Sequence, residues 1–266
     1  PTGEAIGESH EKAICAWMSA QDAKNISSLI KKEDTTELRH IVGTAWQTIV
    51  GRTQPTPQDI SYEVFNKEEK ADHFIIQGHI QNTRDAEALD ALFLYPKSWN
   101  GTATLWLSLQ GSDSVLTGSG PTAAAQKLLD QGIAIACPTL YLQGATEQPK
   151  AGDNLKAKPG DFREFSGFTF GYNPTLLARR VHDAMTMVTF MQTQENYPVT
   201  HLQIHGTEGA GPIALVTGTV LNLDHVTADL EGFRFANLTT PWDINFVPGA
   251  VKYGDVEALL RLTLPQ

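Results

Sequence analysis

Cysteine is nearly missing from this chain, with two in 266 residues. That excludes a disulfide framework and any site built on spaced cysteine ligands. Cys137 ends the apolar pattern Ile133–Cys137, which predicts a buried free thiol; a single Cys15–Cys137 bridge stays open. Long apolar runs are lacking too. The longest lies around Gly132–Cys137, far short of the ~20 residues a bilayer-spanning helix needs. Positive charge is scarce: 20 Lys and Arg stand against 30 Asp and Glu, for a net charge of -10. With no dense Lys/Arg block, the chain has no field for nucleic acid or for an anionic membrane surface. No His/Asp/Glu spacing suggests a metal site, and none of the sequence calls for a cofactor. No basic, apolar leader is visible behind Pro1, which says nothing about export.

What is present reads as globular. Hydrophobic residues make up 41% and charged residues 19%, which argues against disorder, and the length fits one large domain or two small ones. Residues 9 to 52 read as helices, with Ser9 as a candidate N-cap and Ile14, Trp17 and Met18 on one packing face. The stretch Thr36–Val50 repeats the pattern through Leu38, Ile41, Val42, Ala45, Trp46 and Ile49, and Gly51 stops it. Strands follow at Ser61–Phe65 and His73–Ile80, as a hairpin around the charged turn Asn66–Lys70, then at Ala88–Tyr95 and Thr102–Gln110. From there helices (Thr122–Asp130, Pro174–Gln192, Gly211–Leu221) alternate with strands (Gly132–Cys137, His201–His205, His225–Leu230). A polar loop spans roughly residues 143 to 166. This order predicts an α/β fold: a doubly wound, mainly parallel sheet with antiparallel N-terminal strands. The expected division is an N-terminal helical segment over 1–58 packing on a domain over 59–266.

The most informative segment is Leu202–Gly211, where a strand runs into a Gly-rich turn and then a helix. The G-x-S-x-G elbow of serine hydrolases occupies such a junction, on a strained backbone that needs small neighbours. Aligned on Gly206, the nucleophile position holds Glu208 instead of Ser, and Ala210 replaces the second Gly. A carboxylate can do covalent work, but attack on an ester would form an anhydride. The alternative is that Glu208 bonds backbone N–H groups at the start of the following helix. A phosphate-binding turn fits poorly, because the glycine pattern is incomplete and Glu208 would repel the ligand. Gly111 and Ser112, after the strand ending at Gln110, and Gly209, after the nucleophile position, are candidate oxyanion-hole donors. Asp229 and Glu231, just past the next strand, could orient a histidine. No histidine follows residue 231.

Four segments carry a resemblance: Phe170–Asp183, Gly206–Pro212, Asp229–Phe235 and Asn245–Asp255. Together they resemble bacterial acetyl xylan esterase-like α/β hydrolases, and most of all the second, degenerate half of two-domain carbohydrate esterases. The likeness covers roughly residues 85 to 264. It implies an α/β-hydrolase-like sheet whose last strands, with the catalytic histidine, are not in this sequence. The chain then reads as a fragment, as one piece of a larger polypeptide, or as a shortened fold with its own cover for the sheet edge. The resemblance further implies an acylated polysaccharide as ligand, a second hydrolase half or a missing C-terminal segment as partner, and an extracellular or periplasmic place.

Three functions follow as expectations. One is a carbohydrate-esterase-like hydrolase, or one half of it, with Glu at the nucleophile position. Another is a non-catalytic module that binds carbohydrate or supports a catalytic partner, for which Trp99, Trp106, Tyr141, Phe165, Phe168 and Tyr172 could stack on sugar rings. The third uses Glu208 as a covalent nucleophile on an alkyl or glycosyl substrate.

Overall fold

A computed structural model describes residues 7–143, 165–194 and 198–264, with the backbone alone at residue 8. Most of the loop expected at 143–166 lies outside the described residues.

Nine strands and eight α-helices form in chain order among those residues. The helices are α1 Gly7–Ile30, α2 Thr36–Leu38, α3 Thr44–Val50, α4 Ala123–Asp130, α5 Ser166–Phe170, α6 Leu176–Gln192, α7 Gly211–Leu221 and α8 Asp255–Thr263. The strands are β1 Ile60–Glu69, β2 His73–Asn82, β3 Glu87–Pro96, β4 Thr102–Ser108, β5 Leu116–Thr117, β6 Gly120–Pro121, β7 Ala134–Pro138, β8 His201–Thr207 and β9 Val226–Ala228. Seven of the strands build one sheet, in the order β1-β2-β3-β7-β4-β8-β9. β1, β2 and β3 run antiparallel to their neighbours, whereas β7, β4, β8 and β9 are parallel. The expected doubly wound sheet with antiparallel N-terminal strands is therefore present.

Two apolar layers show why the sheet is wound on both faces. Alternation along β4 sends Ala103, Leu105 and Leu107 into a large core with α3, α6 and α7, whereas Trp106 points into a smaller core with Ala125 and Leu129 of α4. Every residue from Gly211 to Val220 in α7 is buried, which is why its sequence is apolar around the whole helix. Thr122 caps α4 and Thr175 caps α6, each accepting from a backbone N–H three residues on. Cys15 and Cys137 are both free, and burial pushes the Cys137 thiol up to about 12.

Three expectations are corrected. The charged segment Asn66–Lys70 is not the hairpin turn: β1 continues to Glu69, and Phe65 is the extra residue of a bulge between Val64 and Asn66. A bulge resets the period-two pattern, so the strand reads as if it ended there. Ser9 lies inside α1 and does not start it. Ile14, Trp17 and Met18 share a helical face but are exposed, at 44%, 64% and 51%. Ile26 and Leu29 anchor the end of α1 in the core, with the partly buried Ile30 packed against it. The second helical stretch does pack, through Leu38, Val42, Trp46 and Val50, with a π-helical turn at Arg39–Gly43 between α2 and α3.

Candidate functional site

β8 sits in the sheet between β4 and β9, and the turn after it carries Glu208. The backbone there is left-handed, with φ of 50° at Glu208 and 87° at Gly209. A non-glycine residue in that region is strained and marks a sharp turn. The small residues around it are required by contact. A Cβ on Gly206 would sit 2.6 Å from Ala214 Cβ, and one on Gly211 would sit 2.1 Å from the Asp229 carbonyl oxygen. The strand–turn–helix elbow is thus built in full, with a carboxylate on its tip.

Parallel register decides what meets that carboxylate. Ser108 pairs with Thr207, so the ends of β4 and β8 lie side by side. The Ser108 hydroxyl donates to Glu208 Oε2 at 2.5 Å, a charge-assisted bond. The same hydroxyl oxygen accepts from the Gln110 N–H at 3.0 Å, and the Leu109 N–H is directed to the Glu208 carbonyl at 3.4 Å. Ser108 is fully buried and Glu208 half-buried. The Glu208 carboxylate therefore bonds across to the β4 end and does not cap the start of α7, as one sequence reading expected.

A second layer fixes the turn after β7 above this pair. The Gln143 amide donates to the Ser108 carbonyl at 2.7 Å and its oxygen accepts from the Leu140 N–H at 2.7 Å. The Tyr141 N–H donates to Asp183 Oδ2 at 2.6 Å, while Arg180 Nε donates to the Tyr141 carbonyl at 3.2 Å. Two side chains of α6 thus hold the backbone of Tyr141, Asp183 at its N–H and Arg180 at its carbonyl. Burial pushes the Asp183 carboxyl up to about 7, although the Tyr141 N–H and the Arg180 guanidinium pull the other way. A carboxyl raised by folding keeps its proton in the folded state. Its stabilising effect is full below about pH 4 and is lost as the pH rises to about 7. Asp183→Asn should remove that loss. Denaturant melts from pH 4 to 8 should show the variant gaining on the parent by a few kcal/mol, roughly. A constant difference across that range would mean that Asp183 titrates normally.

The other sequence-derived residues fall as follows. Gly209 follows Glu208 and packs against Leu109, where a Cβ would sit 2.9 Å from Cδ1. Gly111 and Ser112 open a 3-10 turn after β4, and the Ser112 carbonyl accepts from Val115. The Asp229 N–H donates to the Gly206 carbonyl at 2.8 Å, which ties the β9 end to the elbow. The Asp229 and Glu231 side chains are exposed, and Asp229 Oδ1 accepts from the Glu231 N–H at 3.1 Å. No histidine bonds to Glu208, Asp229 or Glu231 among the described residues. His205 packs against Trp106 with ring centroids 4.4 Å apart and planes tilted by 50°, and burial lowers its pKa despite nearby Asp229. His182 bonds to the Val50 carbonyl at 2.8 Å. Among the described residues no His/Cys/Asp/Glu cluster could hold a metal ion, and no helix is long and apolar enough to cross a membrane.

Of the aromatic residues expected near the site, Tyr141, Phe168 and Tyr172 are exposed. The Arg179 guanidinium lies over the Tyr141 ring, 5.0 Å from its centroid. Trp106 is instead buried between β4 and α4, and Trp99 lies at the opposite end of the strands, against Tyr95. Sequence reasoning missed Ser108, Gln110, Gln143, Arg180 and Asp183. Arg180 and Asp183 did leave a signal, as two charges on the inner side of an amphipathic helix.

No protein-family model matches the chain, and no curated protein sequence does. Solved structures match it in shape. A candidate acetyl xylan esterase from Bacteroides fragilis superposes with a TM-score of 0.57 at 14% identity, over 85% of this chain and 65% of that one. The glucuronoyl esterase from Solibacter usitatus gives a TM-score of 0.47 at 20% identity, over 69% and 55%. Acetyl xylan esterase 1 from Thermoanaerobacterium gives 0.43 at 11%, over 72% and 61%. The chain spans less than two thirds of the length of each of these. At such identities a likeness speaks for architecture, and it agrees with the strand order and the elbow: the chain has an α/β-hydrolase fold.

Proposed function

We propose that this chain is a non-catalytic hydrolase-fold module of a carbohydrate-esterase-like protein, with Glu208 as a structural residue in place of a nucleophile. The observation that carries the reading is the 2.5 Å bond from the buried Ser108 hydroxyl to Glu208. A nucleophile must be free to reach substrate, and oxyanion donors must point at open space. Here the carboxylate is held by Ser108, and the Gln110 and Leu109 N–H groups at the end of β4 are taken up inside the protein. The elbow then works as a staple between the ends of β4 and β8. In this reading Gly111, Ser112 and Gly209 shape the turns, and Asp229 and Glu231 order the loop after β9. The ligand class is an acylated polysaccharide, approached through Tyr141, Phe168 and Tyr172, and the chemistry lies on a second hydrolase half or further segment. An extracellular or periplasmic setting follows from that substrate.

Hydrolysis of short-chain acyl esters by the parent, Glu208→Ala and Glu208→Ser tests this. All three should stay at the background rate. Glu208→Ala should lower stability by about 1–2 kcal/mol, because the buried Ser108 hydroxyl loses its acceptor. Turnover by the parent that disappears in Glu208→Ala would make Glu208 a catalytic residue and overturn the proposal. So would a covalent adduct on Glu208 found by mass spectrometry after exposure to reactive glycosyl or alkyl substrates.

A further inference from the structure

A cleft lined mainly by aromatic side chains lies away from the elbow. The register Ala91↔Pro138 and Leu94↔Ile135 puts the end of β3 beside the start of β7. Tyr95 and Pro96 thus lie at the end of the strands opposite the one that carries Glu208. A cleft of about 460 Å³ opens there between β1, β2, β3 and the end of α6, within the size range of small-molecule sites. Its floor is Phe93 against Phe190, with ring centroids 5.5 Å apart. Tyr62 forms one wall, 4.7 Å from Phe190, and the Tyr95–Trp99 pair forms the other.

Two features argue that the cleft is built to stay open. Tyr62 lies across Gly78, where a Cβ would meet its ring at 2.2 Å, so glycine is needed for the wall to stand where it does. Tyr62 also remains 37% exposed although it belongs to this aromatic cluster. The rim is basic on a chain of net charge -10. The Lys67 and Lys97 ammonium groups both stand over the Phe74 ring, 5.3 and 5.5 Å from its centroid. Lys97 pairs with Glu69 at 2.6 Å, and Lys67 acts on the same carboxylate from farther off, without an ion pair among the described residues.

We propose that this cleft binds a small aromatic carboxylate, its ring between Tyr62 and the Tyr95–Trp99 pair and its carboxylate at Lys67 and Lys97. Ring stacking supplies the non-directional part of the affinity. The lysines supply preference for an anion. This site is independent of the elbow and of the function proposed for it.

Isothermal titration of the full chain with sodium naphthoate, beside uncharged naphthalene methanol, tests the proposal. Naphthoate should bind in a saturable way with Kd on the order of 0.1–1 mM, and the neutral compound at least about fivefold more weakly. The Lys67→Gln/Lys97→Gln double variant alters exposed side chains, so folding should persist, and it should weaken naphthoate roughly fivefold while sparing the neutral compound. Val64→Trp, at another exposed position of the lining, should fill the cleft and abolish both. Absence of saturable binding, equal affinity for the two compounds, or binding unchanged in either variant would overturn the proposal.

Discussion

Trp46→Ala should cost about 3–5 kcal/mol of stability, as expected for a large aromatic side chain lost from a close-packed core. Trp46 is fully buried and meets the Phe235 ring at 5.5 Å. Through it α3 holds the segment that follows β9, so the N-terminal helices and the last third of the chain share one core. The loss should appear as one shifted transition in urea, with far-UV and tryptophan signals coinciding. Trp46→Phe should cost much less. The ring volume is largely kept, and the buried Trp46 Nε1, which has no hydrogen-bond partner among the described residues, is removed. A separate early transition in Trp46→Ala would instead mark residues 1–58 as a unit that unfolds by itself. A loss under about 1 kcal/mol would place Trp46 outside the load on this core.

Gly211→Ala carries the second large effect. The added methyl would lie 2.1 Å from the Asp229 carbonyl oxygen, which belongs to backbone and cannot turn aside. Either α7 or the β9 end must move, and overpacking against backbone should cost about 3 kcal/mol, the upper end of the usual range. Because the Asp229 N–H is bonded to the Gly206 carbonyl, the shift should spread to the elbow. Hydrogen exchange should report faster opening at Gly206–Ala210 and Asp229 than in β2 and β3. Ordinary stability with unchanged exchange would show that α7 and β9 approach less closely than this.

Both effects arise from a part of the molecule that the sequence described well. The Gly-rich turn followed by an apolar run placed α7 at Gly211–Leu221, and the alternation of strands and helices gave the winding of the sheet. The glycines around Glu208 announced a strand–turn–helix junction, since few other residues tolerate such close neighbours. Where the sequence misled, a local signal had two readings. The bulge at Phe65 hid half of β1, and the apolar face of Ile14, Trp17 and Met18 looked like a core helix although it is exposed.

By itself the sequence determined the class of fold, the elbow and the carboxylate on its tip, because each is written in residues adjacent along the chain. It did not determine what the carboxylate does. Ser108 is a hundred residues away from Glu208 in the chain, and only the parallel register of β4 and β8 brings the two together. The same holds for Arg180 and Asp183 at the Tyr141 carbonyl and N–H, and for the cleft between Tyr62 and Trp99. Hydrogen bonds and cavities depend on separations of a few ångströms between distant segments, and those separations are set by packing and register, which no local pattern encodes.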